Sequence, residues 1–198
     1  RRTEFERATS QESWQRIVKD LSGAQRDIVD ASEDQSLLVL AGPGSGKTRV
    51  VVHRCAFLLR VKRVPARAIL VLCFNRTAAL ELRSRLRDLV GQDAQGVLIQ
   101  TYHGMAARLI GRSPADLLDN GAKPDDVFRD IIREATGLLS SGNRAREQAD
   151  EDSYREELRD RLLAGFRHIL VDEYQDIDSD QYEFVSTIAR STDREEQR

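Results

Sequence analysis

Two short stretches of this sequence carry residues able to handle a phosphate ester. The first is Ala41-Gly42-Pro43-Gly44-Ser45-Gly46-Lys47-Thr48. Its glycines let a backbone wrap closely around an anion with several N–H groups turned inward. Lys47 supplies a charge that reaches β- and γ-phosphates, and Thr48 supplies a hydroxyl that ligates Mg²⁺. The second is Val171-Asp172-Glu173-Tyr174-Gln175-Asp176. A carboxylate at a strand end, here Asp172, can hold Mg²⁺ through water. A second one, here Glu173, can orient or deprotonate an attacking water. Alone, the first stretch also suits a Gly-rich turn and the second an acidic turn capping a helix. Together they point to nucleoside-triphosphate chemistry.

Three weaker signals lie around them. Gln25, in Leu21-Ser22-Gly23-Ala24-Gln25, carries an amide that can donate to and accept from an adenine edge. Phe74-Asn75-Arg76 and Thr101-Tyr102-His103 sit in a basic stretch with Arg83, Arg85, Arg87 and Arg108 nearby. Aromatic rings amid positive charge stack on unpaired bases. The same pattern also suits Phe74 and Tyr102 as core aromatics, His103 as a helix cap and the arginines as solvated charges.

These residues need elements to hold them. Ser36–Ala41 is an unbroken apolar run ahead of the glycines and predicts a buried parallel strand. Ala68–Cys73, Val97–Thr101 and His168–Val171 read the same way. Helical spacing predicts helices from Ser22, over Lys47 to about Val61, from an Asn75 cap to about Leu89, onward from Thr101 to about Ile110, and over Ser179 to about Ala189. Strands alternating with helices predict an α/β fold, a parallel sheet covered on both faces. Between Pro114 and Gly165 only helical segments appear, about Asp125–Ala135 and Glu147–Leu163, which reads as a small helical insertion.

Composition bounds the rest. At 198 residues, with 40% hydrophobic and 32% charged residues, the chain suits one globular domain with an insertion. No apolar run reaches the ~18 residues of a membrane span, and Arg1-Arg2-Thr3-Glu4 is not the start of a signal peptide. The only Met is Met105, so the chain reads as excised from a longer protein. Cys55 and Cys73 lie in apolar runs without metal-ligand spacing, which predicts buried reduced thiols and a cytoplasmic setting. The net charge of −2 conceals an asymmetry. Lys47–Arg112 holds 13 basic and 3 acidic residues, and Ser113–Arg198 holds 12 basic and 22 acidic ones. The first segment suits a polyanionic partner, or a solvated helix face.

Taken together, the motifs resemble those of the superfamily I helicases of the UvrD/Rep/PcrA type. The resemblance rests on Gln25, Ala41–Thr48 with Arg49, Phe74 to Leu82, Ile99 to Met105, Val171–Asp176 and Gln181-Tyr182, in family order from Leu21 to Ala189. It implies a P-loop NTPase (RecA-like) domain over 21–112 and 166–198, with 113–165 as an inserted helical subdomain. Residues 1–20 are then an N-terminal extension, natural or left over from cloning. By resemblance Gln25 contacts adenine, with Arg49 against its ring. Gly42, Pro43, Gly44, Ser45, Gly46, Lys47 and Thr48 bind the phosphates, and Thr48 and Asp172 hold Mg²⁺. Glu173 activates water, Gln175 senses the γ-phosphate, and Lys47 completes the catalytic set. Phe74, Asn75, Arg76, Tyr102 and His103 touch single-stranded DNA. Asn75-Arg76-Thr77 stands where Thr-Asn-Lys is commoner, and Gly104 where Ser is common.

The implied function is ATP–Mg²⁺-dependent 3′-to-5′ DNA unwinding. The family's later motifs and second RecA-like domain do not appear, so the chain reads as half of a motor. A nucleotide-dependent nucleic-acid-binding module without unwinding is the alternative. The sequence does not give the oligomeric state.

Overall fold

The computed structural model describes residues 11–112, 124–141 and 165–193. Helix α1 (Gln11–Val18) buries Ile17 and Val18. Helix α2 (Gly23–Val29) opens on a capping box. The Ser22 hydroxyl accepts from the Gln25 backbone N–H, and the Gln25 side chain accepts from the Ser22 N–H. Helix α3 (Lys47–Arg60) begins at the end of the glycine loop and leads to strand β1 (Ile69–Cys73). Helix α4 (Arg76–Val90) is capped by Asn75, whose Oδ1 accepts from Ala78 N–H at 2.8 Å. Strand β2 (Leu98–Thr101) runs straight into α5 (Tyr102–Leu109), with Thr101 as cap. Helix α6 (Pro124–Ser141), strand β3 (His168–Val171) and helix α7 (Ser179–Asp193) follow.

The strands form a parallel sheet in the order β2-β1-β3, with Val71 level with Ile99 on one side and Leu170 on the other. Parallel neighbours need crossovers, and helices supply them. Every residue of β1 is buried, because side chains alternate between two covered faces. Ile69, Val71 and Cys73 pack among α1 to α4. Leu70 and Leu72 pack among α5, α6 and α7, against Met105, Ile132 and Phe184. Helix α6 thus belongs to the core of the sheet's second face, through Ile131, Ile132, Ala135 and Leu139. It runs past Ala135 because Leu139 continues the apolar stripe. The Thr136 hydroxyl donates to the Ile132 carbonyl at 2.8 Å within it. The expected helix over 147–163 lies outside the described residues.

One expected strand is not formed. Ser36–Ala41 makes no ladder, and Leu38 and Leu40 are 69% and 87% exposed. An apolar run expresses a demand for burial, but a strand also needs a neighbouring edge. Strand β1 has both edges occupied, and among the described residues nothing pairs with the outer edge of β3. That edge is open, yet the run does not pair with it, and Leu37, Leu38 and Leu40 stay exposed. At the opposite edge of the sheet, the Arg83 guanidinium donates to the Ile99 carbonyl of β2, a charge that blunts a strand edge.

Candidate nucleotide-binding and strand-binding site

The glycine loop lies exposed between the 36–41 run and α3. Its last residue, Gly46, has φ +85, and a β-carbon there would lie 2.9 Å from Gln25 Nε2. The left-handed backbone requires glycine here, and a β-carbon would also push the Gln25 amide aside. Gln25 Nε2 donates to the Ser45 carbonyl at 2.8 Å. An amide has two N–H donors and two acceptor lone pairs, so one of each remains beyond the Ser22 and Ser45 bonds. Arg49 stands on the same side, its guanidinium donating to the Asp20 carbonyl at 3.2 Å. Lys47 Nζ donates to the loop's own Ala41 carbonyl at 3.3 Å.

The second stretch meets the first across the chain. Thr48 Oγ1 donates to Asp172 Oδ2 at 3.0 Å, joining residues 124 positions apart. Asp172 lies just past β3 and is buried, and its Oδ1 accepts from the Glu173 N–H. Burial pushes its carboxyl above the usual range, and the Thr48 hydroxyl opposes that. A hydroxyl and a buried carboxylate at this spacing are hard oxygen donors of the kind Mg²⁺ takes. Glu173 has φ +53, a left-handed conformation that costs a non-glycine residue about 1–3 kcal/mol and marks functional turns. Its carboxylate accepts from Gln175 Nε2, which also donates to Asp176 at 3.3 Å. Glu173, Gln175 and Asp172 are therefore one cluster beside Lys47 and Thr48.

The nucleic-acid candidates divide. Phe74 is 50% exposed just past the end of β1, beside exposed Arg76. Asn75 is exposed too, its side chain engaged as the α4 cap. Tyr102 departs from expectation: it is fully buried in the core, so its ring presents no face to a base. Tyr102, Met105, Ala106 and Leu109 are all buried. Their i, i+3, i+4, i+7 spacing is a signal that could have assigned Tyr102 to the core. His103 is partly buried, its ring 4.8 Å from that of Phe128 on α6, and burial lowers its pKa. Both cysteines are buried and free, and burial pushes Cys55 up to about 12 and Cys73 up to about 11, far from a reactive thiolate.

Sequence reasoning missed Arg54. It lies on the α3 stripe of Val50 and Leu58, four residues from each, so an arginine at that spacing was the available signal. A groove of about 360 Å³ between Arg83, Leu86, Gln92 and Val97 lies apart from this chemistry.

A parallel sheet covered by helices, with a phosphate loop opening α3 and paired carboxylates just past β3, is the arrangement of a P-loop nucleotide-binding domain. Comparison with known proteins narrows this further. The model of the UvrD/REP helicase N-terminal domain matches residues 21–123 and 122–194, and the chain belongs to that family. It is 42% identical over 96 residues to the ATP-dependent DNA helicase PcrA of Staphylococcus epidermidis, and 43% identical over 94 residues to DNA helicase II of Escherichia coli K12. Each match covers 48% of this chain and 13% of the relative. No described helix is long and apolar enough to cross a membrane.

Proposed function

We propose that this chain is the ATP-binding domain of an ATP-dependent 3′-to-5′ DNA helicase or translocase that grips single-stranded DNA. The observation that carries the reading is the 3.0 Å bond between Thr48 and Asp172, which brings the phosphate loop and the acidic loop to one point. In this reading residues 21–112 and 166–198 form the first RecA-like domain, with 113–165 inserted. A second RecA-like domain of the parent protein closes over the nucleotide.

The chain's own residues divide the work. The backbone N–H groups of Gly42–Gly46 and the N-terminus of α3 bind the phosphates. Lys47 leaves the Ala41 carbonyl for the β- and γ-phosphates. Thr48 and Asp172 would hold Mg²⁺, which supplies charge neutralisation on the phosphate oxygens. Glu173 takes the proton of the attacking water and Gln175 senses the γ-phosphate, a change that frees the Glu173 carboxylate. Gln25 reads the adenine edge with its remaining donor and acceptor, and Arg49 lies against the ring. Phe74 stacks on a base, with Asn75, Arg76 and His103 along the strand. Tyr102 supports this surface from beneath.

Calorimetry with ATP and Mg²⁺ tests the assignment. Lys47→Ala removes a charge-assisted contact and weakens ATP by about 1.5–3 kcal/mol. Equal affinity of the two chains would remove the phosphate-loop reading.

A further inference from the structure

Arg54 is a buried charge with no part in the chemistry above, and its place in α3 gives it one. Its guanidinium donates to the last carbonyl of α2, Val29 at 2.9 Å, and to two just past the helix, Ala31 at 2.5 Å and Ser32 at 3.0 Å. The last carbonyls of a helix have no partner within it, and α2 has only seven residues to hold itself together. The Phe57 ring, 5.6 Å from the guanidinium carbon, flanks the fork, and Trp14 of α1 packs on that ring. Helix α2 is thus clamped at its C-terminal end to the helix that grows out of the phosphate loop. At its other end Gln25 touches Ser45 of that loop.

We propose that Arg54 is a positioning residue for base recognition: by holding the end of α2 on α3, it fixes where the free donor and acceptor of Gln25 stand relative to the phosphates. The proposal rests on the reading of Gln25 as the adenine contact. A planar fork with five N–H groups can serve three carbonyls at once, whereas a lysine ammonium on the same stem cannot match that geometry. Release of the clamp lets α2 pivot about the loop, and base contact is lost while phosphate contact is kept.

The test is calorimetry of the 198-residue chain with ATP, GTP and inorganic triphosphate, each with Mg²⁺. Wild type prefers ATP over GTP by about two- to tenfold, the span of one neutral hydrogen bond. Gln25→Ala abolishes that preference. Arg54→Met abolishes it as well, with triphosphate affinity unchanged, and the double variant shows no further loss. Arg54→Lys keeps part of it and decides the matter where Arg54→Met does not fold. Full ATP preference in both Arg54 variants would overturn the proposal with the Gln25 reading intact. Parallel loss of triphosphate and ATP affinity would also overturn it, leaving Arg54 a general structural support. A wild-type chain that binds triphosphate without preferring ATP would overturn the Gln25 reading and this proposal together.

Discussion

Phe74 and Tyr102 are aromatic residues at equivalent places, one step beyond neighbouring parallel strands, and burial gives them opposite tasks. Phe74 is half exposed, and Phe74→Ala lowers single-stranded DNA affinity by about 1–3 kcal/mol if it stacks on a base. A fluorescence titration in low salt measures this, and an unchanged affinity removes Phe74 from the interface. Tyr102 is fully buried, and among the described residues its hydroxyl has no hydrogen-bond partner. An unpaired buried hydroxyl costs about 1–3 kcal/mol, so Tyr102→Phe gives a more stable chain of unaltered DNA affinity. A denaturant melt checks it; a destabilised variant would mean that the hydroxyl is bonded after all. Spacing alone made both residues candidates, because the periodicity of an eight-residue helix such as α5 is a brief signal. The apolar partners of Tyr102 at +3, +4 and +7 carried the answer, whereas Phe74 has only Ala78 at +4, with Thr77 at +3 and Glu81 at +7.

At the scale of elements, the parts that position the site were legible where local chemistry decides them. The Asn75 cap and the glycine loop each depend on residues within a few positions, and so does the Ser22–Gln25 capping box, which the reading of Gln25 as an adenine contact passed over. Asn75→Ala removes the cap of α4 and costs about 0.5–2 kcal/mol of stability, whereas Asn75→Ser costs little. Thermal melts of the two variants separate this capping role from any role on DNA, since only capping predicts rescue by serine. The Thr48–Asp172 bond spans 124 residues, and pattern brought the two loops together only by expecting both to follow strands of one parallel sheet, which holds for the acidic loop after β3 and not for the phosphate loop. The clamp by Arg54 was not legible, since its three partners are backbone carbonyls, which every residue has. Nor was the fate of Ser36–Ala41, because composition reports how much a run needs cover and says nothing of which edge lies free.

At the scale of the whole molecule, two half-buried histidines tie stability to pH. Burial lowers the pKa of His53, whose Nδ1 contacts the Ile17 carbonyl, and that of His103. The unfolded chain takes up these protons near pH 6.5 and the folded chain resists them, so stability is complete above 6.5 and falls as pH drops toward the lowered folded values. Asp172 works in the other direction and lower down: its raised carboxyl favours the folded state as pH falls toward 3.8. Melting temperatures between about pH 5 and 8 follow the histidines. His53→Gln, which keeps a donor for Ile17, flattens the slope, and an unchanged slope would place the effect elsewhere. The outer edge of β3, unpaired among the described residues, and the uncovered leucines at 38 and 40 have a different consequence. Each is a surface that a second chain can use, the edge by strand pairing and the leucines by burial. Dilution therefore becomes a control in every titration above. A heat or fluorescence change that scales with the square of chain concentration reports molecules meeting each other, and one that scales linearly reports a ligand.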